Sequence, residues 1–304
     1  MILSGCACRR LTEFSYVTLR QAQCDNLNLK IIPQLRINYF CLMKIQNKPK
    51  KRFGQNFLQD ENILNKIVKE INPQSDDQII EVGPGYGALT QKLVSAAENL
   101  TAVEIDNELA KELEERFPNL KILNEDFLKI DLSKLILKEE RLRIFGNIPY
   151  NITSPILFKL IENNEFIKDA VFMVQLEVAK RMTATIGTKD YGILAVVLRY
   201  FSETKLCFKI SPNVFYPKPK VYSALVHINF KQIDKPEKEQ RLFINIVKAA
   251  FGNRRKTLKN SFSNSIFHKL DFSNSNIDLS LRAENLDVED FISLTKFANN
   301  YLAE

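Results

Sequence analysis

Hydrophobic and polar positions switch between two periods along the chain. From Asn62 the apolar residues Ile63, Leu64, Ile67, Val68 and Ile71 recur at helical spacing and Pro73 closes the segment, which predicts an amphipathic helix. Gln78 to Val82 then reads as a strand that breaks into Gly83-Pro84-Gly85-Tyr86-Gly87, and Leu89, Leu93 and Val94 begin a second helix. Leu100 to Ile105 reads as a buried strand, Leu109, Leu113 and Phe117 mark one face of a helix, and Lys121 to Leu123 a third strand. A fourth strand begins at Leu142 to Phe145, a helix carries Ile156, Leu157, Leu160 and Ile161, and Ala170 to Val174 supplies a fifth strand. Strands alternating with helices at this spacing predict a parallel sheet covered on both faces. Lys205 to Ile210 and Ala224 to Phe230 are short runs beside Pro-containing loops and fit an antiparallel pair added at the sheet edge, and the charged linker Lys231 to Gln240 ends the sheet region. Beyond it the pattern is helical.

Composition narrows the possibilities. With 304 residues, 45% hydrophobic, the chain is long enough for a substantial core and has room for one large domain or two moderate ones. No run approaches the roughly 18 apolar residues of a membrane-spanning helix, so no membrane partner is expected. Two histidines, His227 and His268, argue against a His-rich metal site or a hydrolytic triad. Cys6, Cys8, Cys24 and Cys41 precede Met43 and only Cys207 follows, so the main body carries no disulfide and reads as cytoplasmic. The first 42 residues hold five basic and two acidic residues without clear periodicity. Residues 1–43 therefore read as an extension: a misassigned start, a disordered tail or an organelle transit peptide.

Charge separates sharply near the C-terminus. Arg241 to Leu270 has seven Lys or Arg and no acid, whereas Asp271 to Glu304 has seven acids and two basic residues. Within the first of these Lys248, Arg254, Arg255, Lys256 and Lys259 cluster, and Lys44, Lys48, Lys50, Lys51 and Arg52 form a second, acid-free basic stretch before the first helix. Such groups neutralise phosphates and release counterions. The net charge of +7 is modest, so the clustering carries the inference of a nucleic-acid partner.

Candidate chemistry gathers at strand ends. A glycine loop between strand and helix lets backbone approach a ligand closely. The spacing here is G-x-G-x-G rather than the dinucleotide pattern G-x-G-x-x-G, and Glu104 follows Gly83 at the end of the second strand, where a carboxylate can accept from ribose hydroxyls. Nicotinamide dinucleotides and S-adenosylmethionine both offer that ribose. Asp126-Phe127 follows the third strand and suits an adenine: the carboxylate accepts from the exocyclic amine and the ring packs on the base. Asn147-Ile148-Pro149-Tyr150-Asn151 ends the fourth strand. An exocyclic purine amine is a poor nucleophile because its lone pair is delocalised. Two acceptors, the Asn147 side-chain oxygen and the Ile148 carbonyl, would favour a pyramidal nitrogen with its lone pair aimed at a methyl group, while Pro149 fixes the backbone and Tyr150 offers a stacking face. Alignment and charge stabilisation suffice, and no metal is needed.

Arg52 to Leu58, the G-P-G-x-G loop, Glu104, Asp126-Phe127, N-I-P-Y-N, Phe215-Tyr216-Pro217-Lys218-Pro219-Lys220-Val221 and Arg254-Arg255-Lys256-Thr257-Leu258 occur in order. From about Lys50 onward the chain resembles the small-subunit ribosomal RNA adenine dimethyltransferases. The resemblance implies a class I, Rossmann-like methyltransferase domain over 44–230 and a small helical RNA-binding domain over 231–304. It implies S-adenosylmethionine bound by Asn56, Leu58, Gly83, Gly85, Glu104, Asp126, Phe127 and Asn147. Tyr150 and Phe215 would sandwich a flipped adenine, and Lys50, Lys51, Arg52, Lys218, Lys220, Lys248, Arg254, Arg255, Lys256 and Lys259 would hold RNA. The implied activity is dimethylation of two adjacent adenines in a loop near the 3′ end of small-subunit RNA, by a monomer acting on a pre-ribosomal particle. Two alternatives remain: a large-subunit adenine methyltransferase of the antibiotic-resistance type, and a non-catalytic assembly or transcription factor on the same fold.

Overall fold

The computed structural model describes residues 50, 55–137 and 140–302. The expected extension 1–43, together with Lys51 and Arg52, lies outside the described residues. Lys50–Glu304 forms one compact unit.

Among the described residues nine strands occur: β1 (Phe57–Leu58), β2 (Gln78–Val82), β3 (Asn99–Val103), β4 (Lys121–Leu123), β5 (Leu142–Asn147), β6 (Ile167–Gln175), β7 (Ser202–Ile210), β8 (Phe215–Tyr216) and β9 (Ser223–Phe230). Seven of them build one sheet in the order β4-β3-β2-β5-β6-β9-β7. The first five pair in parallel, and β9 pairs antiparallel to both β6 and β7. The edge pair expected from the sequence is therefore present. Strand order reverses between β3-β2 and β5-β6, which opens a crevice at the carboxyl ends of β2 and β5 where ligands bind in open α/β sheets.

Alternation along each strand sorts side chains to two faces. On β2, Ile79 joins one core cluster and Ile80 the other; on β6, Val171 and Met173 face one side while Ala170, Phe172 and Val174 face the opposite one. The first face is covered by α1 (Glu61–Ile71), which buries Leu64, Ile67 and Ile71. Asp60 caps this helix by accepting from the Ile63 amide at 2.9 Å, and Asn72 ends it in the left-handed conformation. The helices that follow are α2 (Thr90–Leu93), α3 (Asn107–Arg116) and α4 (Thr153–Glu162), the last burying Ile156, Leu157, Leu160 and Ile161 against the second face.

Further along, α5 (Leu176–Met182) and α6 (Ile193–Phe201) cover the second face, and α7 (Glu237–Phe251), α8 (Leu258–Ser263) and α9 (Val288–Tyr301) form the helical C-terminal region. The core is continuous across this boundary. Leu198 and Phe201 of α6 share one cluster with Phe243 and Val247 of α7 and Phe291 of α9, and Tyr200 stacks on Phe243 with ring centroids 4.0 Å apart. Tyr191 is 1% exposed and donates its hydroxyl to the Leu286 carbonyl at 2.9 Å.

Three details differ from the pattern-based reading. The linker expected over Lys231 to Gln240 is shorter, because α7 begins at Glu237. The strand expected at 100–105 runs over Asn99–Val103; the Glu104 amide makes the last bond to β4, at 3.0 Å to the Leu123 carbonyl, and Glu104 and Ile105 then line the crevice. The helix expected after the glycine loop is a single turn, since Gly83, Gly85 and Gly87 all have positive φ and the chain stays in turns until Thr90.

Candidate active site

The carboxyl ends of β2, β3, β4 and β5 surround a cleft, at the edge where open α/β sheets bind their ligands. Gly83, Gly85, Glu104, Asp126, Phe127, Asn147, Ile148, Pro149 and Tyr150, all expected from the sequence, line it together with Asn56. Residues far apart in the chain converge here because a parallel sheet delivers every strand terminus to one edge.

Gly85 has φ +59, and a Cβ there would lie 2.8 Å from the Phe57 ring. That ring packs on Tyr86 with centroids 4.3 Å apart and forms part of the cleft wall. Glu104 is 5% exposed. Its Oε1 accepts from the Asp106 amide at 2.9 Å and its Oε2 from the Gly85 amide at 3.2 Å, so the carboxylate is fixed against the glycine loop. Burial pushes the Glu104 carboxyl above its ordinary range, and the backbone donors of Asp106 and Gly85 pull it partly back. Asp126 caps the turn Phe127–Lys129 through Oδ1, which accepts from the Leu128 amide at 3.0 Å. Phe127 is 4% exposed yet contributes to the wall. Lys159 of α4 ties this turn down, donating to the carbonyls of Ile130 at 2.6 Å and Leu128 at 3.2 Å.

The loop after β5 is held at each residue. Asn147 Nδ2 donates to the Asn56 carbonyl at 2.6 Å, which turns the amide so that Oδ1 is the end left to accept. Ile148 is 1% exposed and anchors the loop. The Pro149 carbonyl accepts from the Ile152 amide and the Thr153 hydroxyl, at 3.1 and 3.3 Å. Tyr150 shares a 2.7 Å hydrogen bond with Ser223, and burial raises its phenol above the ordinary value while that bond opposes the rise.

Leu58 and Phe215 are not brought to the cleft wall. They face each other across the β1–β8 ladder, each 5% exposed, inside the core cluster on the α1 side of the sheet. The neighbouring pair, Phe57 and Tyr216, occupies the other face of the ladder, because successive residues of a strand point to opposite sides. Of the basic residues expected to meet RNA, Lys218, Lys220, Lys248, Arg255, Lys256 and Lys259 are exposed. Lys50 is engaged by Asp106 at 2.8 Å and Glu108 at 3.0 Å, and Arg254 pairs with Glu284 at 3.4 Å and donates to the Lys189 carbonyl.

Gln55, Phe57, Ile105, Glu125 and Ile152 also line the cleft, and the sequence reading did not assign them there. Ile105 carried a legible signal, an apolar residue directly after Glu104 at the end of a strand, and it is 45% exposed. Gly146 is a supporting residue that periodicity does not single out: a Cβ at this position would lie 2.2 Å from the Val82 carbonyl oxygen, so only glycine lets β5 lie this close to β2 beside the glycine loop.

The donor set fits an adenosine bearing a sulfonium. A fixed carboxylate at the end of β3 matches ribose hydroxyls, a second carboxylate beside an apolar wall matches an adenine, and the glycine loop leaves room where side chains would intrude. Fold and site together define a Rossmann-like, S-adenosylmethionine-dependent methyltransferase.

Residues 46–300 match the Ribosomal RNA adenine dimethylase family, and the chain belongs to it. It is 44% identical over 260 residues to the ribosomal RNA small subunit methyltransferase A of Francisella tularensis subsp. novicida (strain U112), covering 84% of this chain and 99% of that protein. The protein of the same name from Chlorobium phaeobacteroides (strain BS1) is 46% identical over 247 residues, 81% of this chain and 92% of its own. Among solved structures, a dimethyladenosine transferase from Plasmodium falciparum superposes with TM-score 0.67 at 27% identity, covering 80% of this chain and 98% of that one. The 23S rRNA methyltransferase ErmE superposes with TM-score 0.58 at 26% identity, covering 80% and 99%.

Proposed function

We propose that this chain dimethylates the exocyclic amines of two adjacent adenines in a loop near the 3′ end of small-subunit ribosomal RNA, acting as a monomer on a pre-ribosomal particle in the cytoplasm. The observation that carries the chemistry is the anchored Asn147 amide, whose donor end is used by the Asn56 carbonyl at 2.6 Å while its acceptor end belongs to the cleft. When bound, S-adenosylmethionine supplies an electrophilic methyl group on a sulfonium.

The protein's own part is positioning. Glu104 and Asp126 hold the ribose and adenine ends of the donor. Asn147 Oδ1 and the Ile148 carbonyl accept from the target amine, localise its lone pair and stabilise the positive charge that grows on nitrogen during transfer. Tyr150, steadied by Ser223, provides the stacking face for an extracted base. Phe215 stands behind this wall, packed with Leu58, so its part in the sandwich requires its ring to turn from the core toward the base. The exposed lysines and arginines of the loop 217–220 and of 248–259 supply phosphate contacts. Unpaired loop bases are what proteins can extract and read in RNA, which favours a loop substrate.

The small-subunit reading is supported by the names of relatives at 44% and 46% identity and by the helical C-terminal region with its Arg254-Arg255-Lys256-Thr257-Leu258 run. The likeness to ErmE supports the shared adenine chemistry. Incubating the protein with labelled S-adenosylmethionine and undermethylated ribosomal subunits, then mapping the label by base, tests the assignment. Label on two neighbouring small-subunit adenines is expected. Label confined to the large subunit overturns the choice of RNA, and absence of both transfer and cofactor binding overturns catalysis.

A further inference from the structure

From Thr204 to Ile233 the chain carries five lysines and no acidic residue. The end of β8 and the loop joining it to β9 lie in the middle of this stretch, and they expose three large apolar side chains within seven residues: Tyr216 at 39%, Val221 at 44% and Tyr222 at 46%. Single exposed apolar residues are ordinary, but a cluster beside a binding cleft marks an interaction surface. Lys209 of β7 places its ammonium 3.7 Å from the centroid of the Tyr222 ring. The backbone at Tyr222 is fixed, since its carbonyl accepts from the Leu176 amide at 2.9 Å.

Both ends of the loop are tied to residues of the cleft. Tyr216 pairs with Phe57, which lines the cleft, and Ser223, directly after Tyr222, holds the Tyr150 hydroxyl at 2.7 Å. An exposed aromatic ring beside an ammonium is the chemistry that binds single-stranded nucleic acid, where every base offers a face for stacking and every phosphate a charge to neutralise. A protein partner covering the same patch would bury lysines that apolar interfaces exclude.

We propose that Tyr222, with Lys209 against its ring, is a stacking subsite for an unpaired RNA nucleotide next to the target adenine, and that Lys218 and Lys220 follow the adjoining phosphates. This rests on the reading that the chain methylates adenine in ribosomal RNA, and it assigns Tyr222 and Lys209 a role in holding the strand in register while one base enters the cleft. Neither residue approaches the reacting atoms, so the role is binding.

The test is steady-state methyl transfer from labelled S-adenosylmethionine to unmethylated small subunits by the full chain and its Tyr222→Ala, Tyr222→Phe and Lys209→Gln variants. Base–aromatic stacking is worth enough that Tyr222→Ala is expected to raise the KM for RNA roughly tenfold. The loss falls on that KM rather than on kcat, and the KM for S-adenosylmethionine does not move. Tyr222→Phe keeps the ring and restores the wild-type KM, while Lys209→Gln weakens RNA binding and flattens its salt dependence. An active wild type with an unchanged KM in Tyr222→Ala overturns the subsite, as does a Tyr222→Phe variant impaired to the same degree as Tyr222→Ala. A wild type that binds S-adenosylmethionine but transfers nothing to RNA overturns the underlying reading, and the subsite with it.

Discussion

Glu81 gives the sharpest test of the electrostatics behind the cleft. It lies in β2 two residues before Gly83, is 2% exposed, and its Oε2 has no hydrogen-bond partner. Burial pushes its carboxyl up from the ordinary 4.5 to about 7; neighbouring Thr90 opposes the rise and the negative charge of Glu104 adds to it. Between those two values the folded chain keeps a proton that the unfolded chain has released, so stability falls as pH rises through this window and levels off once the folded carboxyl ionises too. Each tenfold change in proton affinity is worth ~1.4 kcal/mol, so ionising Glu81 in place costs about 3 kcal/mol of folding stability. Glu81→Gln removes the titration while keeping the shape. Urea unfolding followed by circular dichroism, at pH values from 5 to 8, measures the stability difference between variant and wild type. That difference should move by about 3 kcal/mol in favour of the variant across the range. A difference that stays constant with pH would falsify the placement of a buried, protonated carboxyl behind the glycine loop.

Three further outcomes are expected. Asn147→Ala should lower kcat by roughly 10²–10³-fold with the urea midpoint little changed, and full retention of transfer would show that the amide is not the acceptor. Gly146→Ala places a methyl against the Val82 carbonyl oxygen, so β5 must shift from β2; a loss of at least about 1–3 kcal/mol is expected, and a thermal midpoint equal to wild type would contradict the close approach. At the opposite edge of the sheet, His227 bonds Asp169 at 2.9 Å and Glu70 at 3.3 Å, beside the buried Arg143 that Asp169 and Asp77 hold. The Asp169 hydrogen bond raises the His227 imidazole above 6.5. Its stabilising charge is therefore fully present below pH 6.5 and is lost as pH rises through the higher folded value. His227→Gln should be destabilised by about 1–2 kcal/mol at pH 6 and converge toward wild type above that folded value, and a gap that widens with rising pH would refute the pairing.

Sequence by itself determined the alternation of strands and helices from Asn62 to Val174 and most of the polar residues that meet in the cleft. Glu104, Asp126 and Asn147 could be picked out because each follows an apolar run, and a chain that alternates strand and helix sends all such positions to the same edge of a parallel sheet. The glycine spacing was equally local, since positive φ at Gly83 and Gly85 is a property of the loop itself. Facing and pairing were decided only in three dimensions. The β1–β8 register put Phe57 on the cleft and Phe215 in the core, and no local pattern near residue 215 carries that choice, because register belongs to two segments far apart in sequence. The run Ile193–Phe201 is apolar apart from Arg199, and the sheet on one side and the C-terminal helices on the other explain why nearly all of it is buried. Lys50 and Arg254 look like free cations in sequence, yet packing brings Asp106, Glu108 and Glu284 to meet them. Charge and periodicity are written along the chain, whereas the partner of each charge and the face of each aromatic depend on contacts between distant segments that exist only once the sheet has closed around its core.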